Sequence, residues 1–479
     1  MGQLSKIDHI VVLMLENRSF DSMLGTLYPK SDSFEGLDGS EKNLDPNGAS
    51  VSVWSNTGTD ETTMRIPSPD PGELWEDINT QLFEKPDPSN PAPQATMEGF
   101  VKNYLEQKQK DPSGSYDGKS VMHYFTPKQV PVISQLARQF AVCDHWFASA
   151  PCQTWPNRWF VHTGTADRHE NNEPIHLPDV ETVFNRFEEV GNENWKIFFH
   201  DMAQAHTLLK LWPLGNHFHF YRQFQIDCQT GQLPAYSFVE PRYYSDFGQP
   251  ENDQHPPSVV TLGEQLIADV YNCLRSSKAW LKSMLIITYD EHGGCYDHVA
   301  PPSAVSPEMP LPGQVFAFDR YGVRVPAVIV SPYVKPGTVF GRAAPIPFDH
   351  TSIIATLRNR FELKPLTARD EKAPDLDGVL VLPTPDNRGP PRVKPLLYTP
   401  SPQTAAVAQT KPLNDMQKAL VSAAANLPEI PGKDMNAHVA DVKTAGLKPP
   451  PPGATANVHA ARTFVKKQVG NFLQSNQSK

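Results

Sequence analysis

Two pairs of adjacent oxygen-bearing side chains carry the first chemical signal. Glu16-Asn17 follows directly on the apolar run 7–15, and Asp290-Glu291 follows on the apolar run 282–289. A carboxylate beside an amide or a second carboxylate, set at the end of a buried strand, offers hard oxygen donors to a cation or pins a phosphate. Two such pairs on one sheet suggest a metal. Carboxylates with one amide oxygen suit Mg2+, Ca2+ or Mn2+, and Zn2+ stays open as a fourth choice. Gly293-Gly294 permits close backbone approach beside the second pair, with His292, Asp297 and His298 nearby.

A metal site that processes phosphate esters needs a nucleophile. The stretch Pro151-Cys152-Gln153-Thr154-Trp155-Pro156-Asn157-Arg158 offers a hydroxyl between prolines, followed by an amide and a guanidinium. Coordination to a cation would lower the hydroxyl pKa of Thr154, and the same ion would offset charge on a transferring phosphoryl group. Asn252-Asp253-Gln254-His255-Pro256-Pro257 sets an acid and an imidazole in a proline-stopped loop, and Phe348-Asp349-His350-Thr351 sets the same pair before a helix. Either histidine is suited to protonate a leaving alkoxide or to hold phosphate oxygens. The candidates to weigh are Thr154, His255 and His350 as catalytic groups, Glu16, Asn17, Thr154, Asp290 and Glu291 around one divalent ion, and Asn157, Asp253 and His292 toward substrate. Arg158 reads as a brace for the nucleophile turn. His217 and His219 read as structural.

These groups need a frame that brings them together. The runs 7–15, 282–289 and 325–330 are short, apolar and rich in β-branched residues, as strands buried on both faces are. Helical spacing appears at 132–140, 182–190, 262–276 and 351–361. Strands alternating with helices predict an α/β fold with a mainly parallel sheet, and in such sheets ligands collect at the carboxyl ends of the strands. The polar clusters sit at those ends, so they predict one composite site.

Residues 31–93, rich in Asp, Ser, Gly and Pro, read as a surface excursion or partial lid rather than a separate domain. Sixteen of the 48 prolines fall between Pro365 and Pro452, ending in a polyproline-type spacer. The division expected is a catalytic domain over 1–382 and a Pro-rich extension over 383–479. Two short helices are predicted in the extension, at 414–426 and 457–473. They would pack on the core, touch a membrane surface or meet a partner.

Composition narrows the function classes. Forty-three Lys and Arg against 53 Asp and Glu give a net charge of −10, which argues against nucleic acid as a partner. No apolar run approaches the ~20 residues of a membrane span. No Sec or Tat signal is read near Lys6, which also stands where a myristoylation motif needs Ser or Thr. The compartment stays open, between the cytoplasm and export by a route such signals do not encode. Five cysteines without C-x-x-C spacing read mainly as buried thiols, with one bridge possible.

The stretches IDHIVVLMLENRSFDSMLG from Ile7, FAVCDHWFASAPCQTWPNRWFVHTGT from Phe140, ENDQHPP from Glu251, LIITYDEHGGCYDHVAPP from Leu285 and FDHTS from Phe348 resemble one family. It is the phosphoesterase family of nonspecific, phosphatidylcholine-type phospholipases C and related acid phosphatases. The resemblance spans about three quarters of the chain, from Ile7 to roughly Leu382. It implies an alkaline-phosphatase-like three-layer sandwich with a catalytic metal at the strand ends. It also implies Glu16, Asn17, Asp290 and Glu291 as metal ligands, Thr154 as the nucleophile of a phospho-enzyme, and His255, with His350, at the phosphate. Thr rather than Ser at the nucleophile position is commoner in the lipid-cleaving members. The implied activity is a phospholipase C releasing diacylglycerol and a phosphorylated headgroup, with a soluble-monoester acid phosphatase as the alternative. The implied substrate is a phospholipid, with peripheral membrane contact and an oligomer both open. Two departures stand out: Glu73 occupies the place of a family histidine in Asp70-Pro71-Gly72-Glu73, and Cys295 replaces an aromatic after DEHGG.

Overall fold

The computed structural model describes residues 2–477 except 88–93, 174, 247, 312, 313, 315 and 429–434. Eight strands make the central sheet: β1 (His9–Leu15), β2 (Ala141–Cys143), β3 (Trp195–Phe199), β4 (Phe218–Phe220), β5 (Tyr236–Val239), β6 (Ser283–Tyr289), β7 (Ala327–Val330) and β8 (Thr338–Phe340). Their spatial order is β8-β2-β7-β6-β1-β5-β3-β4. Every neighbouring pair is parallel except those made by β7, which runs against β6 and β2. The mainly parallel α/β architecture expected from the alternating pattern is what the chain adopts.

The central strands are buried, β1 from Ile10 onward and β6 along its whole length, because helices cover the sheet and keep the apolar runs from water. The helices form two sets. Val260–Ser276 packs with Pro131–Gln139 and Tyr221–Thr230, while Thr154–Thr163 packs with Thr351–Phe361 and Val183–Glu189. Register positions the chemistry. Leu15 pairs with Tyr289, so β1 and β6 end level, and the next residues, Glu16 and Asp290, emerge side by side.

The region 31–93 does more than cross the surface; its last residues, 88–93, lie outside the described residues. It contains a small hairpin (Lys42–Leu44 with Ser50–Ser52) and the helix Trp75–Phe83. Val53, Ile78, Leu82 and Phe83 join Phe100, Val101, Tyr104 and Tyr296 in a second apolar cluster. Local composition hid this cluster, because eight of its thirteen buried members lie beyond the region.

The extension also differs from expectation. Among the described residues it holds four helices rather than two: Pro402–Thr410, Asp415–Ala424, Met435–Ala445 and Val458–Gln477. Pro402–Thr410 is started by Ser401, whose side chain accepts from the Thr404 N–H, and its weak amphipathicity kept it out of a periodicity search. Along the last helix Val458, Ala461, Val465, Val469 and Phe472 are fully buried, and Phe464 and Leu473 are half-buried against the same core. Phe472 packs edge-on against His206 and Phe218, so this face is spent on the protein's own core. The Pro-rich spacer is clamped where Asn426 and Lys448 exchange two hydrogen bonds.

All five cysteines are free thiols, four buried and Cys273 half-buried. No helix among the described residues is long and apolar enough to cross a membrane.

Candidate active site

Asn17 leaves β1 in the left-handed region at φ 53°, a conformation that Asn tolerates better than most residues. The turn brings its amide N–H to Asp290 Oδ1 at 2.9 Å. Gly293 and Gly294 make the mating loop possible. Both have positive φ, and a Cβ on either would collide, with the Asn17 backbone in one case and with Pro71 in the other. Glu291, two residues before Gly293, accepts from Gly293 N at 2.8 Å and from Asn17 Nδ2.

Thr154 opens the ten-residue helix Thr154–Thr163, whose dipole presents its positive end here and favours an anion. Its Oγ1 lies 3.3 Å from Glu16 Oε2 and 3.5 Å from Asn17 Oδ1. Thus the hydroxyl, the carboxylate and the amide oxygen face one point. Asn157 and Arg158, one turn further on, point elsewhere. Asn157 is spent on the turn itself, accepting from Ala150 N at 3.0 Å and donating to the carbonyls of Ala150, Cys152 and Gln153. Arg158 is fully buried; its Nε donates to Glu16 Oε1 at 2.6 Å, and its guanidinium also reaches the Met14 and Leu15 carbonyls. The brace expected from its position is built onto β1.

The histidines differ in their surroundings. His350 accepts at Nδ1 from Trp146 Nε1 at 3.3 Å, so its proton sits on Nε2 and is donated to the Asp290 carbonyl at 2.6 Å. Burial holds this ring neutral, below the ordinary imidazole range. His292 is locked between Glu291 (3.2 Å) and Gln81 (2.7 Å), with burial pushing its pKa down to about 3. His255 lies 3.5 Å from Glu73 Oε1 and 3.7 Å from Asp70 Oδ1. Burial works against its charged form, yet Glu73 and Asp70 outweigh it and hold the ring well above its usual value. Asp253 is tied into the same corner: its carboxylate accepts the His255 N–H and its carbonyl accepts the Glu16 N–H at 2.9 Å. Burial raises the Asp253 carboxyl to about 7. His217 stacks on Trp195 at 3.8 Å, and His219 lies within β4, away from these groups.

The acidic density here calls for positive charge. Burial, then repulsion from Asp290, drives the Glu16 carboxyl well upward despite Arg158. Burial, then Glu73 and Asp290, does the same to Glu291. Asp290 Oδ2 is buried without a hydrogen-bond partner. An orphaned carboxylate oxygen among hard oxygen donors fits a divalent cation held by Glu16, Asn17, Asp290, Glu291 and Thr154.

Sequence reasoning missed two contributors. Glu73 was visible only as a departure from the family pattern, yet it accepts from Asn17 Nδ2 at 2.8 Å. Glu240 follows β5 as Glu16 follows β1, which was a usable signal. It accepts from Tyr243 Oη at 2.6 Å and lies 3.6 Å from Arg158.

Residues 7–364 match the phosphoesterase family. Non-specific phospholipase C3 of Arabidopsis thaliana is 36% identical over 440 residues, covering 88% of this chain and 83% of that protein. Non-specific phospholipase C5 of the same plant is 38% identical over 443 residues, covering 88% and 82%. Among solved structures, a protein in the alkaline phosphatase superfamily from Vibrio parahaemolyticus matches with TM-score 0.33 and 13% identity, over 51% of this chain and 64% of that one.

Proposed function

The chain belongs to the phosphoesterase family and is a phosphoric ester hydrolase, and from that premise we propose that it is a divalent-metal-dependent phospholipase C acting through Thr154. The observation that carries this reading is the approach of Thr154 Oγ1 to Glu16 Oε2 and Asn17 Oδ1 at the start of a helix. The likeness to two phospholipases C over most of both chains supports a phospholipid as the substrate.

In the proposed reaction Thr154 Oγ attacks phosphorus, the Oγ–P bond forms, and the bond from phosphorus to the glycerol oxygen breaks. The hydroxyl proton faces Glu16 Oε2, its nearest acceptor. His255, kept protonated by Glu73 and Asp70, supplies the proton that the diacylglycerol alkoxide needs to leave. Water then attacks the same phosphorus, with neutral His255 taking its proton, and the phosphorylated headgroup departs as Thr154 recovers its hydroxyl. A divalent ion in the carboxylate cluster supplies charge that lowers the Thr154 pKa and offsets the phosphoryl oxygens. The dipole of the helix Thr154–Thr163 adds fixed positive potential at its start. Arg158 and His350 act as positioning residues, one holding Glu16 and the other the Asp290 carbonyl.

The test is an activity panel on the purified protein, with phosphatidylcholine vesicles beside p-nitrophenyl phosphate. Diacylglycerol release that stops on chelation and returns with a divalent ion is the expected result. Monoester hydrolysis with no diacylglycerol would replace this reading by the acid phosphatase alternative.

A further inference from the structure

Outside the strand-end carboxylates, Asp167, His169 and His176 form a separate cluster in the loop that follows the nucleophile helix. One ligand-capable atom from each lies within 4.8 Å of the other two. The spacing is Asp-x-His-x6-His, so a single short loop supplies all three. His169 Nδ1 faces the carbonyls of Ala166 and Asp167 at 3.2 and 3.0 Å and must therefore carry the proton. That leaves the lone pair on Nε2, which is buried without a partner, on a side chain in a residue only 6% exposed. A histidine with Nδ1–H on a backbone carbonyl and a free Nε2 is the tautomer and support that metal-bound imidazoles use.

We propose that Asp167, His169 and His176 form a second metal site that takes a zinc-class divalent ion through two imidazoles and one carboxylate, with water completing the tetrahedron. The His176 Nε2 to Asp167 Oδ2 separation is 3.1 Å, close to the roughly 3.3 Å edge of a tetrahedron with bonds of ~2.0–2.1 Å. The His169 and His176 ring centroids are 4.2 Å apart. The His176 side chain is 56% exposed, free to adjust as an ion enters. A cavity of about 460 Å3, lined by Asp167, His176, Leu177, Asp179, Leu209 and Lys443, gives the way in. Two imidazoles with one carboxylate select a borderline ion such as Zn2+, in contrast to the all-oxygen set at the strand ends.

The site's consequence lies in what the loop touches. Asn172 Oδ1 accepts from Trp155 N at 2.8 Å, and Asn172 N donates to Gln153 Oε1 at 2.9 Å. The loop thus holds both neighbours of Thr154, and an ion binding Asp167, His169 and His176 stiffens the support of the nucleophile turn.

The test uses the full chain, stripped with a chelator and dialysed against Zn2+, and compares wild type, H176A and D167N. Zinc content is measured by elemental analysis, and hydrogen exchange is followed across 166–177. The expected result is one fewer equivalent of zinc in both variants, and zinc-dependent slowing of exchange in the loop of wild type alone. Equal zinc content in all three proteins, or a loop whose exchange ignores zinc in wild type, overturns the proposal. T154A, which disables the proposed nucleophile, should retain the loop's zinc response, so failure of this site and failure of the phospholipase reading are separately visible.

Discussion

Asn17 Nδ2 donates to Glu73 Oε1 at 2.8 Å, tying the turn after β1 to a segment 56 residues further along. The same Glu73 oxygen lies 3.5 Å from His255 Nε2, so one carboxylate orients an expected metal ligand and holds charge on the expected acid. A neutral replacement separates these two roles.

Glu73→Gln keeps an acceptor for Asn17 but removes the charge facing His255. The His255 pKa should fall, because Glu73 is the largest influence raising it. The limb of the pH–rate profile set by a protonated His255 should move toward lower pH, with metal content unchanged. NMR titration of the ring checks the sign, and an unmoved or rising pKa would contradict the electrostatic assignment.

Thr154→Ala should lower diacylglycerol release by at least about 10^3-fold, because it removes the nucleophile and leaves only binding and field effects. The fold should survive, since the helix start has no side-chain cap to lose. Thr154→Ser should restore part of the rate. Near-normal turnover by the alanine enzyme would defeat the nucleophile assignment.

Arg158→Met leaves Glu16 facing Asp290 in a buried corner without its guanidinium. Removing one partner of a buried ion pair costs about 3–5 kcal/mol. Denaturant unfolding should register a loss of that order, together with weakened activity. A variant as stable as wild type would show that Arg158 carries little of the local charge balance.

His298 sits 2.6 Å from Asp21 Oδ2 and 3.2 Å from Glu35 Oε1, with Arg324 also bonded to Asp21. Burial opposes its charge, but Asp21 prevails and raises the pKa to about 9 from 6.5. A raised imidazole contributes stability that is complete below the unfolded value and is lost as pH rises through the folded one. Thermal melts should therefore weaken between about pH 6.5 and 9, and His298→Gln should flatten that slope. A wild-type melt insensitive to pH across this window would count against it.

Phe472→Ala removes a fully buried ring that packs on His206 and Phe218. Truncations of this size cost about 3–5 kcal/mol in a packed core. Because the last helix buries its apolar face on the core, lipid and soluble-substrate activities should fall together. Loss confined to lipid vesicles would instead assign that helix to the membrane surface.

The sequence alone determined what adjacency can encode. An apolar strand ending in Glu16-Asn17, another ending in Asp290-Glu291 and a hydroxyl between prolines are each local, and alternation of strands with helices follows from local periodicity. Tertiary structure decided which of these meet. The pairing of Leu15 with Tyr289 sets the two strand ends level, and no local pattern specifies a register between distant strands. It also decided that Glu73 enters the corner, that Asn157 turns back onto its own loop, and that the His350 ring spends Nε2 on a carbonyl. Side-chain direction and hydrogen-bond partners depend on neighbours that only the folded chain supplies. The extension makes the same point: the pattern of Val458 to Phe472 established an apolar face, and only packing against His206 and Phe218 determined what covers it.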